Sequence, residues 1–412
     1  MNSKLRFKSM LDDNEKNGAK FNFFEFFAGG GMARSGLGDQ WSCLFANDMD
    51  RIKAATYIKN WGESHFDERD IHDVKTEDLK GECDLAWASF PCQDLSVAGN
   101  GLGIGSSDKE GFTRSGALWP FLELIDGLRR ESRQPTLLVL ENVVGLLSLQ
   151  GGRDFAAICL RLGEIGYRYG AVIIDAKNFL PQSRPRVFII AVLRDVDIPI
   201  NLDCHMATKF WHTPTLMRAY RSLSLQVSAD WVWWDLGPIP TLKEDALKSV
   251  IQLEGVQWDT LEETKKIIGR MTPAHVARLE QAKVANVASV GSLYYRMRRE
   301  GGVNKQRAEI TFSDVLGCLR TPRGGGSRSR IIVAGNGDVK TRLLSIREAA
   351  ALMGLDSTYI LPEVYQHAFK VIGDGVVVPS VRFLAERLLE PLILAARKSE
   401  TNNVIPRLVA IA

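Results

Sequence analysis

The chain has 412 residues, 45% of them apolar and 25% charged, which suffices for two ordinary domains or one large domain with an insertion. No apolar run approaches the about 20 residues that a membrane-spanning helix needs, and residues 1–6 lack the apolar core of a secretory signal. We therefore expect a cytoplasmic protein with no membrane partner. The net charge is only +3, so affinity for nucleic acid would require a local concentration of Lys and Arg.

The six cysteines are scattered along the chain. None belongs to a Cys-x-x-Cys pair, and none has a histidine at the spacing of a zinc site. We therefore expect free thiols and no metal. Free cysteine is among the residues most often buried, so a structural role is expected for most of them: Cys43, Cys159, Cys204 and Cys318.

The first half of the chain alternates apolar runs with segments of helical periodicity, which predicts an α/β fold with a mostly parallel sheet. The apolar runs are residues 21–27, 42–46, 84–88, 136–140, 171–175 and 187–192, and the helical segments include residues 117–130 and 154–165. The alternation degrades from about Pro199 and regular patterns return in the helical segments 344–353 and 379–396. The middle of the chain is therefore interpreted as an inserted second domain.

The first strand is followed by Phe27-Ala28-Gly29-Gly30-Gly31, where missing side chains would let a ligand approach backbone N–H groups at the start of a helix. Such turns are also common for steric reasons alone. Asp48 follows the second strand, about twenty residues beyond the turn, where a cofactor ribose would offer its hydroxyls. Asp70-Ile71 could bind and pack on an adenine, although Asp70 could instead cap the following helix.

Residues 84–88 lead into Ser89-Phe90-Pro91-Cys92-Gln93 and so place Cys92 at the carboxyl edge of the sheet, where open α/β sheets bind ligands. A thiolate is intrinsically nucleophilic, and its pKa falls near helix N-termini or positive charges. Cys92 is therefore the candidate nucleophile, in preference to a buried structural role.

Two further motifs are expected at this edge. Glu141-Asn142-Val143 follows the strand 136–140, and Gln182-Ser183-Arg184-Pro185-Arg186 precedes the strand 187–192. The two guanidinium groups stay charged and can fork-bond a ring oxygen or a carboxylate. Each motif is common by itself, whereas the ordered set of thiol, carboxyl and guanidinium is not.

Taken in order, these motifs and a late Gly373-Asp374-Gly375-Val376 resemble those of DNA cytosine-5 methyltransferases. The resemblance covers about residues 20–195 and 340–395. It implies an α/β fold, with a Rossmann-like class I S-adenosylmethionine-dependent methyltransferase domain made of residues 1–198 and 340–412. The inserted, smaller target-recognition domain would comprise residues 199–339.

The resemblance also implies residue roles. Cys92 would add to cytosine C6 while Glu141 binds and protonates N3, so that C5 accepts the methyl group of S-adenosylmethionine and S-adenosylhomocysteine is the product. Arg186 would contact the cytosine O2 and brace Glu141, and Arg184 would help to position the loop. The implied cofactor contacts are Phe27, Ala28, Gly29, Gly30, Gly31, Asp48, Met49, Asp70, Ile71, Pro91, Leu118, Asp374 and Val376.

Three features depart from the family pattern. Glu25 stands where an Asp usually precedes the glycine motif, and Asp48 stands where a Glu usually meets the ribose. Asp374 replaces the Asn of the usual Gly-Asn-Ser-Val, which puts its cofactor contact in doubt. The glycine-rich loop 99–116 is longer than usual, and by resemblance it would close over a cytosine flipped out of double-stranded DNA.

A basic segment lies between Arg296 and Arg330, with nine basic residues against three acidic ones, a local excess of six. Interspersed glycines allow the backbone to approach phosphates, so we expect a DNA-facing surface rather than only a solvated basic face. The expected DNA contacts are Gln93, Ser96, Arg296, Arg298, Arg320, Arg323 and Arg328.

Other functions explain the sequence less well. A transfer-RNA cytosine methyltransferase would typically carry a compact recognition region with a Cys-Phe-Thr signature, which is absent here. A silent DNA-binding regulator would be expected to lose Cys92, Glu141 or Arg186. A dinucleotide-dependent oxidoreductase offers no role for Pro91-Cys92-Gln93.

The chain resembles prokaryotic or phage modification enzymes. This implies a monomer in the nucleoid-associated cytoplasm that protects DNA from a cognate restriction endonuclease acting on the same site. An orphan regulatory methyltransferase is the alternative, because nothing in the chain reports a neighbouring nuclease.

Overall fold

The computed structural model describes residues 20–91, 114–242, 244–321 and 328–409. These residues form two compact units, and each unit is discontinuous in sequence. The first unit comprises the described residues within Met1–Asp175, Pro185–Ile239 and Val376–Ala412. The second unit comprises those within Ala176–Arg184 and Pro240–Gly375.

A seven-stranded sheet, in the order β3-β2-β1-β4-β5-β7-β6, forms the centre of the first unit. Its strands are β1 Phe21–Phe26, β2 Trp41–Asn47, β3 Phe66–Asp67, β4 Leu85–Ala88, β5 Leu137–Val143, β6 Tyr167–Asp175 and β7 Pro185–Leu193. Strands β1 to β5 pair in parallel, whereas β7 is antiparallel to both β5 and β6. The predicted α/β fold with a mostly parallel sheet is confirmed.

The helices of the first unit lie between its strands and after them along the chain. They are α1 Met32–Leu37, α2 Arg51–Trp61, α3 Leu118–Arg130, α4 Arg153–Glu164, α5 Pro214–Arg221 and α6 Leu225–Ser228, with α12 Val378–Leu384, a π-helical turn Ala385–Leu389 and α13 Glu390–Val409 near the end of the chain. Short 3₁₀ turns of the first unit occupy Ile71–Asp73, Thr76–Asp78, Arg114–Ala117, Val144–Leu147, Leu149–Gly152 and Ile200–Leu202, and the turn Ala176–Asn178 belongs to the second unit.

The core of the first unit follows from the apolar patterns of its elements. Leu137 to Leu140 of β5 are almost completely buried, as expected for a central strand with both faces covered. The apolar face of α3 is buried and packs on the sheet, where the Phe121 ring lies 5.0 Å from that of Phe26. Because β1, β4 and β5 are parallel, their carboxyl ends lie at one edge of the sheet.

A four-stranded antiparallel sheet, in the order β11-β10-β8-β9, belongs to the second unit. Its strands are β8 Ser289–Glu300, β9 Val303–Thr311, β10 Arg330–Gly335 and β11 Asp338–Leu343. The helices of this unit are α7 Ala246–Val250, α8 Leu261–Ile268, α9 Pro273–Lys283, α10 Ile346–Ala351 and α11 Tyr365–Asp374. Ile267, Leu279, Leu293 and Ile332 join these helices and strands in a separate apolar core.

The unit boundaries differ from those predicted at 198/199 and 339/340. Residues 199–239 pack with the large sheet, because Val232 N and Asp230 O pair with Tyr169 of the edge strand β6, and Trp234 Nε1 donates to Ile190 O at 3.2 Å. Covering an edge strand in this way satisfies its free backbone groups. The second predicted boundary cuts β11, which is paired with β10, so the small unit continues to Gly375.

Five cysteines lie in the described part of the chain, and all are free thiols, as predicted. Cys43, Cys83 and Cys159 are buried, whereas Cys204 and Cys318 are only half-buried, which corrects the expectation of burial for the last two. The helices of the described residues include none that is long and apolar enough to cross a bilayer.

Candidate active site and nucleic-acid interface

The glycine turn after β1 is closed on one side and open on the other. A Cβ on Gly31 would lie 2.4 Å from Trp61 Nε1, and that nitrogen donates to Gly30 O at 3.3 Å. At Gly29 a Cβ would meet no described atom within 4 Å, and φ is +59°, in the left-handed region that favours glycine. A ligand can therefore approach the turn from the Gly29 side, as the sequence predicts for Phe27 to Gly31.

Asp48 ties the glycine turn to the end of β2. Its Oδ2 accepts from Gly29 N at 2.8 Å and its Oδ1 accepts from Asp50 N at 2.9 Å. The side chain is buried, and burial raises the pKa of its carboxyl. Asp48, which the sequence predicts to bind the ribose, thus shapes the turn. Its neighbour Met49 is 63% exposed.

Glu25, two residues before the motif that starts at Phe27, is a buried carboxyl. Desolvation by burial raises its pKa from 4.5 to about 8, against the opposing charge of Arg34. Its Oε1 accepts from Arg34 N at 3.4 Å, whereas its Oε2 has no hydrogen-bond partner among the described residues. The sequence marked Glu25 only as a departure. Its position near the end of β1 places this buried carboxyl close to the glycine turn.

Asp70 caps a 3₁₀ turn, which was the alternative left open by the sequence. Its Oδ1 accepts from His72 N at 3.1 Å and lies 2.7 Å from His72 Nδ1. Ile71 is buried in the core of the first unit, as is Leu118 at the start of α3. Ile71 and Leu118, two of the predicted cofactor contacts, therefore belong to the apolar core of the first unit. Asp70, next to Ile71 in the chain, is half-exposed.

The ends of β4 and β5 are joined by a side chain. Asn142 is buried, and its Nδ2 donates to Phe90 O at 3.1 Å, while its Oδ1 accepts from Val143 N at 2.8 Å. This bond fixes the backbone two residues before position 92. The predicted Cys92, Gln93 and Ser96 and most of the loop 99–116 lie outside the described residues, which reach Pro91 and resume at residue 114.

Glu141 and Arg186 form an ion pair at the same sheet edge, with Arg186 Nε 3.2 Å from Glu141 Oε1. Both side chains are largely buried, with 8% of Glu141 and 15% of Arg186 exposed. The sequence placed Glu141 beyond its strand. In the structure it lies within β5, because residues up to Val143, which pairs with Arg186, join the ladder to β7.

Arg184 binds backbone rather than this ion pair. Its Nη1 donates to Leu319 O at 2.9 Å, and its Nη2 donates to Gly373 O and Gly375 O, each at 2.8 Å. Gln182, whose role the sequence left open, accepts from Leu319 N at 3.0 Å. These contacts lie within the second unit and hold backbone in place, and the predicted role of Arg184 in positioning the loop stays a prediction.

Part of the predicted DNA surface is a two-stranded ribbon. Strand β8 pairs with β10 only over Ser289 to Leu293, so its remaining residues pair with β9 alone, up to the turn at Gly301-Gly302. Arg296 and Arg298 lie on this ribbon, and both reach the buried Glu309, with Arg298 Nε 2.7 Å from Glu309 Oε1. Their predicted contacts with DNA stay a prediction. Glu309 was counted in the sequence only as a charge.

The opposite face of the ribbon carries donors that are not engaged. Arg299 and Asn304 are directly paired across the strands, are exposed, and have no side-chain hydrogen bond or ion pair within the described ranges. Arg320 is also exposed, whereas Arg328 stacks over the Tyr365 ring at 5.5 Å and Arg323 lies outside the described residues. Neither Arg299 nor Asn304 was among the expected DNA contacts, although alternation along β8 separates Arg299 from Arg296 and Arg298, and Asn304 is paired with Arg299.

No group of three or more His, Cys, Asp or Glu residues that could hold a metal ion occurs in the part of the chain that the structure describes. The sequence-based expectation named no metal site.

Comparisons with known proteins agree with these features. A family model described as C-5 cytosine-specific DNA methylase matches residues 21–390. The Type II methyltransferase M.HaeII of Haemophilus aegyptius is 24% identical over 92% of this chain and 96% of its own. The Type II methyltransferase M.BsuFI of Bacillus subtilis is 33% identical over 190 residues, which span 45% of this chain and 42% of that protein.

The fold is shared with solved structures. The crystal structure of the S. pombe Dnmt2 methyltransferase superposes with a TM-score of 0.54 at 16% identity, over 90% of this chain and 99% of that one, a likeness that concerns the fold alone. The family model, in contrast, spans most of the sequence, including both ends of the large sheet. The chain therefore belongs to the family of C-5 cytosine-specific DNA methylases.

Proposed function

We propose that the chain methylates C5 of a cytosine in double-stranded DNA, with Cys92 as nucleophile and S-adenosylmethionine as methyl donor. The observation that carries the proposal is the Glu141–Arg186 ion pair at the end of β5. It lies on the strand next to β4, which leads directly to Cys92. A carboxyl and a guanidinium beside a thiol are the groups that covalent activation of a pyrimidine requires.

Cytosine C5 is a poor nucleophile while the ring is aromatic. In the proposed reaction the Cys92 thiolate forms a bond to C6, and Glu141 gives a proton to N3, so that the electron pair of the C5–C6 double bond becomes available at C5. C5 would then take the methyl group, with S-adenosylhomocysteine as the leaving group. A water molecule accepts the C5 proton, the electrons of that C–H bond restore the C5–C6 double bond, and the S–C6 bond breaks to release Cys92 as a thiolate. N3 returns its proton to Glu141, which restores the starting state.

Arg186 acts on both partners in this scheme. Its guanidinium holds the Glu141 carboxyl through Nε, and its Nη2 would contact the cytosine O2. Nη1 donates to Pro185 O at 2.9 Å, which fixes the plane of the group. Asn142 holds the backbone at Phe90, so that the chain enters Cys92 from a defined position.

The glycine turn fits S-adenosylmethionine, which supplies an electrophilic methyl group when bound. The open side at Gly29 leaves room for the amino-acid end of the cofactor close to the backbone, because no Cβ occupies that space. The orphaned Glu25 Oε2 can accept from its ammonium. Met49, Asp70, Ile71 and Leu118 would meet the nucleoside, and Glu25 and Asp48 keep the carboxyl group of the family residues.

The relatives are named Type II methyltransferases, which supports a role in restriction and modification for this chain. It would act as a monomer on nucleoid DNA in the cytoplasm and protect a short motif from a cognate restriction endonuclease. The same chemistry serves an orphan methyltransferase, and the presence of a nuclease gene beside that of the chain distinguishes the two.

Incubation with unmethylated genomic DNA and S-adenosylmethionine, followed by bisulfite sequencing, tests the proposal. We expect 5-methylcytosine at one position of one short motif, and none with the Cys92→Ser variant. Methyl transfer to transfer RNA with no new 5-methylcytosine in DNA would overturn the substrate assignment. Methylation at adenine or at cytosine N4 would overturn the chemistry.

A further inference from the structure

The late motif Gly373-Asp374-Gly375 touches the segment that carries Arg320. Thr321 Oγ1 donates to Asp374 Oδ1 at 2.5 Å. A Cβ on Gly373 would lie 2.5 Å from Thr321 N and 2.8 Å from the carbonyl carbon of Arg320. The two segments are thus in backbone contact, which only glycine permits at position 373.

Asp374 is the last residue of α11, and a carboxylate is electrostatically unfavourable at a helix C-terminus. The same terminus is stabilised by Arg184, whose Nη2 donates to Gly373 O and Gly375 O. A buried guanidinium here satisfies carbonyls that the helix leaves free. A carboxylate at such a place therefore indicates a specific partner, and Thr321 provides one.

Both neighbours of Arg320 are held by this arrangement. Leu319 is fixed through its carbonyl by Arg184 and through its N–H by Gln182, and Thr321 is fixed by Asp374. Arg320 itself is exposed, and no described residue forms a hydrogen bond or ion pair with its side chain. A rigid backbone with one free guanidinium suits a contact to a phosphate or a base edge, because less freedom is lost on binding.

We propose that Asp374 is a positioning residue for the DNA contact of Arg320 and not a ligand of the cofactor. The inference rests on the proposed methylation of double-stranded DNA and changes the role that family resemblance implies for position 374. The Asn that is usual at this position has an acceptor oxygen of the same reach, so Asp374→Asn retains the bond from Thr321.

The test measures KM for duplex DNA and for S-adenosylmethionine separately in the full chain. Asp374→Ala and Thr321→Val should each raise the KM for DNA about 5- to 30-fold, the range of a moderate loss of interaction, with the KM for S-adenosylmethionine unchanged. Asp374→Asn and Thr321→Ser should restore a DNA KM close to that of the wild type. In the Arg320→Ala background, Asp374→Ala should add no further increase.

The contrary results are also defined. A raised KM for S-adenosylmethionine in Asp374→Ala, or a full further effect of that change in the Arg320→Ala background, would overturn the inference. Thermal unfolding of each variant separates a loss of folding from a loss of positioning, and Asp374→Asn provides a folded comparator. A wild-type chain that does not methylate duplex DNA at all would contradict the proposed function instead.

Discussion

Arg186 Nε lies 3.2 Å from Glu141 Oε1, and the two residues come from antiparallel neighbours, β5 and β7. Val143 is paired with Arg186 in the ladder, so the guanidinium reaches back by two residues along β5 to meet Glu141. The reversed strand is therefore what brings a carboxyl and a guanidinium from distant parts of the sequence to one edge of the sheet.

Replacing Glu141 by Gln should lower kcat by about 10²- to 10⁴-fold, because the amide has no acidic proton to give to N3 of the cytosine. DNA binding should be retained, since Gln keeps the size and an acceptor. Steady-state kinetics with a duplex substrate measure the first effect, and a mobility-shift titration measures the second. A Glu141→Gln variant with nearly full kcat would contradict the role of Glu141.

Asn142→Ala should weaken both folding and catalysis. The change leaves the buried Phe90 carbonyl without the Asn142 amide, which costs about 1–3 kcal/mol. It also loosens the approach to Cys92, so kcat should fall more than the KM values change. Urea unfolding and single-turnover methylation measure the two effects.

A matched control is Asn60→Ala on helix α2. This change also removes a hydrogen bond from a side-chain amide to a backbone carbonyl, from Asn60 Nδ2 to Thr56 O at 2.8 Å. It should alter stability slightly and leave single-turnover methylation as it is. Equal kinetic losses in the two variants would show that Asn142 has no special influence on the strand end.

Glu25 should make the chain less stable as the pH rises. Burial raises its pKa from 4.5 to about 8 in the folded chain, so between these values the unfolded chain has lost this proton and the folded chain retains it. The unfolding free energy should then fall with increasing pH by up to about 1.4 kcal/mol per unit. Urea titrations of the chain without cofactor at pH 5.5 and 8 measure this dependence.

Glu25→Gln removes the titrating group and keeps the shape. The variant should lose less stability than the wild type between the two pH values, and the difference between the two chains isolates Glu25 from the other carboxyls. An identical pH dependence in both would mean that Glu25 is ionised in the folded chain.

The two faces of the β8–β9 ribbon should respond differently to mutation. Arg299→Ala and Asn304→Ala each remove an exposed, unengaged donor. Each should lower the discrimination between correct and wrong base pairs at one position of the motif by about 1–3 kcal/mol, without loss of stability. Arg298→Ala should mainly destabilise the second unit, because it deprives the buried Glu309 of a partner.

Bisulfite mapping of the modified motif measures the specificity, and thermal unfolding measures the stability. The assignment of a DNA-reading face to Arg299 and Asn304 would be contradicted by the opposite pattern. In that pattern Arg298→Ala loses specificity, whereas the methylated motif is unchanged in Arg299→Ala and in Asn304→Ala.

Much of the first unit could be predicted from sequence, since its strands are apolar runs bounded by glycine, proline or acidic residues. The runs at residues 21–27 and 187–192 match β1 and β7 to within two residues at each end. The direction of β7 could not be predicted, because an antiparallel pair depends on partners that are distant in sequence. The boundary near Pro199 was misplaced because the alternation of apolar runs and helical segments degrades there, whereas Trp231 and Trp234, beyond that point, pack with the large sheet.

The types of residue at the site could be predicted from the sequence, but the partners of these residues could be predicted only in part. Glu141 and Arg186 meet as expected, because the end of β5 and the start of the antiparallel β7 lie at one edge of the sheet. Arg184 and Asp374 carry charge patterns that suggest a ligand, yet their partners are backbone carbonyls and Thr321. Such contacts between loop segments leave no periodic signal in the sequence.

The central claim, that Cys92 attacks the cytosine, is tested most directly by a duplex in which 5-fluorocytosine replaces the target base. After methyl transfer the fluorine on C5 cannot leave as a proton does, so the S–C6 bond should persist as a one-to-one covalent adduct, visible by denaturing electrophoresis and mapped by peptide mass spectrometry to Cys92. The Cys92→Ser variant should form no adduct. An adduct on another residue, or efficient methylation of normal DNA by Cys92→Ser, would contradict the account.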